Sequence, residues 1–311
     1  MLLNATANCL YAIAPTPFDD EGRIDFSSLD RLCDFYEASG ADGITILGVL
    51  GEAPKLGSEE AVAIARHVLA RSPLPIIVGI SAPGFAAMSN LSRAVMDDGA
   101  AGVMIAPAGG LKTDEQIAGY FAQAASAIGQ ETPFVIQDYP MVTGVTMSVK
   151  TIAQIVADNS GCVMLKHEDW PGLEKISRLR ELESAGEMRH ISILCGNGGL
   201  FLDFETERGV DGAMTGYAFP DMLVELVKFA VAGDRKAAHD LFDWHLPLLR
   251  YEHQPGVGLA VRKYILKRRG VLASDHQRAP RSVLSASARS EVDFLLERLA
   301  AHDSRAKMGA S

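Results

Sequence analysis

Lys166 closes the short apolar run Val163-Met-Leu-Lys166, and the loop His167-Glu-Asp-Trp-Pro171-Gly172 follows at once. The run reads as a buried strand, and Pro171 with Gly172 mark its end. An amine therefore stands at the carboxyl end of a strand. Held out of water, an amine carries charge less readily and becomes a nucleophile toward a carbonyl carbon. Glu168 lies two residues on, shares the strand parity of Lys166, and can exchange protons at the same place. His167 has the opposite parity and packs outward. Taken alone, Lys166 also fits a strand-end lysine that snorkels to solvent or pairs with Glu168 or Asp169.

Such an amine needs a scaffold that brings strand ends together, and the rest of the chain supplies a repeating one. Apolar strands are predicted at 9–14, 43–47, 75–79, 102–106, 133–137, 163–166, 191–195 and 212–215, with amphipathic helices between them. Asp25 or Ser27, Ser58, Thr113 and Ser148 stand where helix N-caps are needed. Eight strand-helix units in residues 10–232 imply an α/β fold of the closed (β/α)8 TIM-barrel type, because an open doubly wound sheet carries fewer units in one domain. Active sites of such barrels collect at the carboxyl ends of the strands, where Lys166 lies.

Residues 1–232 are thus assigned to the barrel and 233–311 to a C-terminal helical extension packed on it, with helices over 234–250, 258–269 and 285–301. Residues 303–311 have little to bury. The basic run Lys267-Arg-Arg269 reads as a solvated helix end that complements the helix dipole.

The 311 residues are 48% hydrophobic and 22% charged, ordinary values for a globular chain that can bury a large core. A formal charge of −10 argues against nucleic acid or an anionic membrane as the partner. Cys9, Cys33, Cys162 and Cys195 form no CxxC pair and no His/Cys cluster, so neither a metal site nor a disulfide framework is expected. No run reaches the length of a membrane span, and no signal segment opens the chain. A cytoplasmic protein without a cofactor is the expectation.

Three segments carry a resemblance: Gly48-Val-Leu-Gly-Glu52 after the second strand, Gln137-Asp-Tyr-Pro-Met-Val-Thr-Gly144 after the fifth, and Lys166 ending the sixth. In order and spacing they resemble the dihydrodipicolinate synthase/N-acetylneuraminate lyase family. Pro15-Thr-Pro-Phe18, Gly212-Ala-Met-Thr-Gly216, Lys263, Gly270, Arg278 and Pro280 extend the likeness over nearly the whole chain. The resemblance implies a lysine Schiff base with a 2-oxo acid, formed on Lys166, in a homo-oligomer, dimer or tetramer. It also implies that the loop of Gly48, Val49, Leu50 and Gly51 holds the substrate carboxylate. Val49 and Leu50 replace the family's two threonines, so backbone N–H groups remain as donors. Glu52 has either a structural or a substrate-facing role.

The departures narrow the reading. Gln137 stands where the family carries a relay tyrosine and cannot relay by ionising; Tyr139, of the same parity, can substitute in part or pack on Trp170. Val142 stands where dihydrodipicolinate synthases carry a second carboxylate-binding arginine. Ala106-Pro-Ala-Gly-Gly110 replaces their Pro-Pro-Tyr-Tyr. These losses argue against that condensation. Gln137-Asp138, Lys166-x-Glu168 and Phe219-Pro220 resemble the branch that dehydrates 2-keto-3-deoxy sugar acids. Glu168 is then the candidate base at C3, its alternative being a salt bridge to an arginine behind the barrel, and Thr215 either bonds a sugar hydroxyl or caps the following turn. The alternatives are an aldolase or condensing enzyme using pyruvate, and a non-catalytic homologue that binds a 2-oxo acid. Gly196-Asn-Gly-Gly199 is a weaker signal for an anion-binding loop.

Overall fold

A computed structural model describes residues 1–170 and 172–308; Pro171, expected in the loop after the sixth strand, and positions 309–311 of the tail lie outside the described residues. The strands are β1 (Cys9–Ile13), β2 (Gly43–Ile46), β3 (Ile76–Gly79), β4 (Gly102–Ile105), β5 (Phe134–Asp138), β6 (Cys162–His167), β7 (Ser192–Cys195) and β8 (Gly212–Ala213). Each pairs in parallel with the next, and β8 returns to β1 to close the barrel. The (β/α)8 architecture is therefore as expected. β8 is shorter than its apolar run, although Met214 N still donates to Cys195 O and Ile13 N to Thr215 O.

Both faces of every strand are covered, which explains why the strands read as apolar runs rather than as alternating ones. Ile13, Ile77, Met104, Val135, Met164, Leu194 and Met214 fill the interior, and Leu3 closes it from the amino-terminal side. Leu10, Ile44, Val78, Ile105, Ile136, Leu165 and Ile193 face the surrounding helices. Each such side chain contributes about 1.5–3 kcal/mol when fully buried. The helices begin where short polar residues stop the strands. The side chains of Asp25, Thr113, Ser148 and Ser285 accept from the backbone N–H three residues ahead.

Beyond the barrel, helices Arg235–Glu252, Gly258–Arg268 and Ala286–Ala300 pack against it and each other. Two expectations for this region need correction. Residues 303–306 are not loose: the buried Asp303 pairs with His245 at 2.9 Å, and Ala306 is buried. Nor is the run at 267–269 simply solvated. Arg269 lies over the rings of Phe219 and Phe35, at 4.4 and 4.7 Å, and donates to Ala218 O. Both partnerships join residues far apart in sequence, which local patterning does not register.

The extension is strapped to the barrel by Lys263, whose side chain is wholly removed from water. Its ammonium donates to Glu52 Oε1 (2.6 Å), Thr16 O (2.8 Å) and His276 O (2.8 Å), over the face of Phe18. Burial draws its pKa down to about 8, so it stays mostly protonated at neutral pH. Glu52 also accepts from Lys55 and from Arg278 N. Both of its oxygens are engaged by this scaffold, while the residue also borders the barrel-mouth cavity.

On the outer face of β5 to β7, Asp138 takes Lys175 at 2.7 Å, while His167 Nε2 lies 3.2 Å from Gly172 O. Glu205, on the nearby helix Leu202–Glu207, is buried with one carboxyl oxygen unpartnered among the described residues.

Lys263→Met removes one member of a buried pair and is expected to cost about 3–5 kcal/mol, read by denaturant titration. Glu205 yields a second prediction, since burial raises its carboxyl from 4.5 to about 7. Across that window the folded chain keeps a proton that the unfolded chain releases, so this group lowers stability as pH rises. The unfolding free energy of Glu205→Gln, read by denaturant titration, should therefore gain on the parent's between pH 5 and pH 8, by about 3 kcal/mol at most.

Candidate active site

The ladder between β5 and β6 sets Gln137 opposite Lys166 and Asp138 opposite His167. Because alternate residues face inward, Gln137, Lys166 and, just past the strand end, Glu168 converge at the mouth of the barrel. Lys166 Nζ lies 3.0 Å from Glu168 Oε2, and Gln137 Nε2 donates to the same oxygen at 2.8 Å. Asn197 N approaches Glu168 Oε1 at 3.4 Å, and Asn197 Nδ2 donates to Glu168 O at 3.1 Å. Glu168 is thus held inside the barrel mouth beside the amine. Both residues are 5% exposed, and that exposure opens into a cavity of ≈ 680 Å³.

Gly196 makes this placement possible. A Cβ there would lie 2.1 Å from Glu168 Cγ and 2.5 Å from Oε1, so any larger residue collides with the carboxylate. The glycine loop at 196–199 therefore serves to admit Glu168 and to carry Asn197.

Val49, Leu50, Gln137, Tyr139, Lys166, Glu168 and Thr215 all line the one cavity. Gly48 and Gly51 do not. They build the turn: Gly51 N donates to Gly48 O at 3.0 Å, and Gly51 O accepts from Thr16 Oγ1 at 2.6 Å. Among the described residues, the N–H groups of Val49 and Leu50 have no protein acceptor. They remain available to an anion. Tyr139 faces the cavity, whereas Trp170 packs on Phe201 at 4.7 Å. Burial, reinforced by the charge of Glu168, pushes the Tyr139 phenol up to about 12, so it stays a donor at neutral pH. His167 faces away from this cavity, toward Asp138, as its parity requires.

The cavity also takes residues from outside the barrel, and among them Glu252, His253 and Arg262 escape motif reading. Burial, then the charge of Arg262, holds the His253 ring below the usual histidine range. A signal for Arg262 does exist in the chain. The pair Arg262-Lys263 interrupts the apolar run Ala260-Val-Arg-Lys-Tyr-Ile-Leu266, and a helix buried at all seven of these positions must find partners for both cations.

Two buried lysines thus stand near the mouth. Lys263 has the visibly depressed pKa, but three acceptors saturate its ammonium and it does not line the cavity. Lys166 has one carboxylate partner and lines the cavity, within reach of anything that enters it.

Residues 6–299 match the dihydrodipicolinate synthetase family. The chain is 28% identical over 296 residues to L-2-keto-3-deoxyarabonate dehydratase of Azospirillum brasilense, covering 93% of this chain and 94% of that protein. It is also 28% identical over 283 residues to 4-hydroxy-tetrahydrodipicolinate synthase of Chlorobium chlorochromatii, covering 89% and 92%. The crystal structure of dihydrodipicolinate synthase from Rhodopseudomonas palustris superposes with a TM-score of 0.95 at 61% identity, covering 96% of this chain and 99% of that one. With the barrel, the strand-end lysine and the match over residues 6–299 in agreement, the chain belongs to the dihydrodipicolinate synthetase family of lyases.

Proposed function

We propose that this protein forms a Schiff base between Lys166 and a 2-oxo acid and dehydrates a 2-keto-3-deoxy sugar acid. The observation that carries the reading is the Lys166–Glu168 contact of 3.0 Å inside the cavity, which sets a base beside the amine. The Lys166 amine adds to the C2 carbonyl and water leaves, giving a protonated imine. That imine draws electrons from C3, and Glu168 takes the C3 proton as the enamine forms. The enamine electrons then expel the C4 hydroxyl, which departs as water with a proton from Tyr139 or from a donor it orients. Hydrolysis of the imine returns the amine. The free N–H groups of Val49 and Leu50 receive the substrate carboxylate, and Thr215 bonds a hydroxyl.

The dehydratase relative supports this reaction, and so does the arrangement around β5. Gln137 is committed to Glu168, and Val142 offers the cavity no charge for a second carboxylate. The synthase relatives favour a second reading, in which pyruvate bound to Lys166 condenses with an aldehyde. Both readings use the same imine and part after it.

Borohydride reduction in the presence of pyruvate should add the reduced adduct mass to Lys166, and Lys166→Met should abolish it. No adduct on the parent protein sinks both readings. Glu168→Gln should keep the adduct yet slow sugar-acid turnover by about 10²–10⁴-fold. Gly196→Ala, which drives a methyl into Glu168, should mimic that loss. Mass spectrometry of the products decides between chemistries: pyruvate release means carbon–carbon cleavage and refutes dehydration. An adduct without turnover of any sugar acid identifies a binding homologue.

A further inference from the structure

Arg262 is a cavity residue with hydrogen-bonding capacity left unused among the described residues. It sits in the helix Gly258–Arg268, is 4% exposed, and gives Nε–H to Glu252 Oε1. The other oxygen of Glu252 accepts from Ala218 N at 3.2 Å. Nη1 is buried and meets no acceptor among the described residues, and no hydrogen bond engages Nη2. A guanidinium that served only to neutralise Glu252 would present its fork to both oxygens. Here it spends one donor on Glu252 and carries the rest to the cavity wall. Lys263, the next residue, has all its donors matched, so poor packing of the helix is not the cause.

The guanidinium also occupies a place prepared for it. A Cβ on Gly216 would stand 2.1 Å from Nη1, 2.9 Å from Cζ and 3.1 Å from Ile13 O. Gly216 follows β8 and Ile13 ends β1, and both line the cavity. Arg262 thus supplies, from the C-terminal extension, the side chain that the barrel omits at position 216. Its charge is felt by Tyr139 and His253, which places it beside the residues that would flank a substrate tail.

The charges around the cavity decide which acceptor suits it. Lys166 with Glu168, and Arg262 with Glu252, are two neutral pairs. Imine formation leaves the positive charge on the lysine nitrogen, and the substrate's C1 carboxylate adds one negative charge. A second carboxylate against Arg262 would stand beside the buried Glu252, which already holds that cation. A hydroxyl accepts the free N–H groups without that cost.

We propose that Arg262 donates from its terminal nitrogens to a hydroxyl on the substrate carbons beyond the reacting centre, so that the site selects a hydroxylated monocarboxylate over a 2-oxo diacid. This inference rests on the Schiff-base reading of Lys166 and names the substrate class of that same site.

Its test uses the full chain and needs no turnover. Pyruvate trapping on Lys166 by borohydride is competed with a 2-keto-3-deoxypentonate, with the same acid lacking the C5 hydroxyl, and with 2-oxoglutarate. The parent protein should be half protected by the pentonate at a concentration about tenfold below that of either other acid, the worth of a hydrogen bond to a charged donor. Arg262→Lys keeps a cation for Glu252 but loses the fork, and Gly216→Ala displaces the guanidinium without removing its charge. Each should bring the three half-protection concentrations to within about threefold. Gly216→Ala also covers the case in which the arginine variant does not fold.

If the parent does not favour the pentonate, if 2-oxoglutarate protects best, or if either folded variant keeps the parent's preference, the assignment of Arg262 is overturned while the Schiff base stands. If the parent traps no pyruvate, the lyase reading falls and this inference with it.

Discussion

The ion pair between Lys263 and Glu52 is the constraint on which the mouth of this barrel depends. A cation wholly removed from water persists only where acceptors surround it. Here they come from the loop after β1, the loop after β2 and the segment near His276. Pinning Lys263 fixes the reach of the helix Gly258–Arg268 and so delivers the adjacent Arg262 to the cavity. Pinning Glu52 holds the turn whose Val49 and Leu50 N–H groups stay unpaired. One buried interaction therefore positions both rims of the cavity.

The polar groups inside the cavity obey the same rule of compensation with fewer partners. Glu168 is surrounded by the ammonium of Lys166, the amide of Gln137 and the N–H of Asn197. Gln137 can orient but cannot ionise, so in the proposed reaction the proton traffic passes to Glu168 and Tyr139. Lys166 and Lys263 show that burial alone does not identify a nucleophile. What separates them is whether the amine's donors are saturated and whether it faces a space that a substrate can enter.

Much of this was legible in the chain. The parity of Lys166 and Glu168 follows from the pleat, and the register of β5 on β6 extends it to Gln137. The eight apolar runs, the caps at Asp25, Thr113 and Ser148, and the closed (β/α)8 arrangement follow from periodicity and turn chemistry. The tail and the basic run at 267–269 were misread for one reason. Asp303 finds His245 and Arg269 finds Phe35 across long stretches of chain, and no local pattern encodes such meetings.

The sequence by itself determined the strand order, the shared parity of Lys166 and Glu168 and the amine at the end of β6, because these rest on interactions among near neighbours and on the two-residue period of a strand. Only the tertiary structure decided that Glu52 is a structural partner, that Gly196 and Gly216 are spaces kept for Glu168 and Arg262, and that the C-terminal extension completes the cavity. Those outcomes depend on where a buried charge finds its counter-charge, and that is settled by the closure of the barrel and the docking of distant helices upon it.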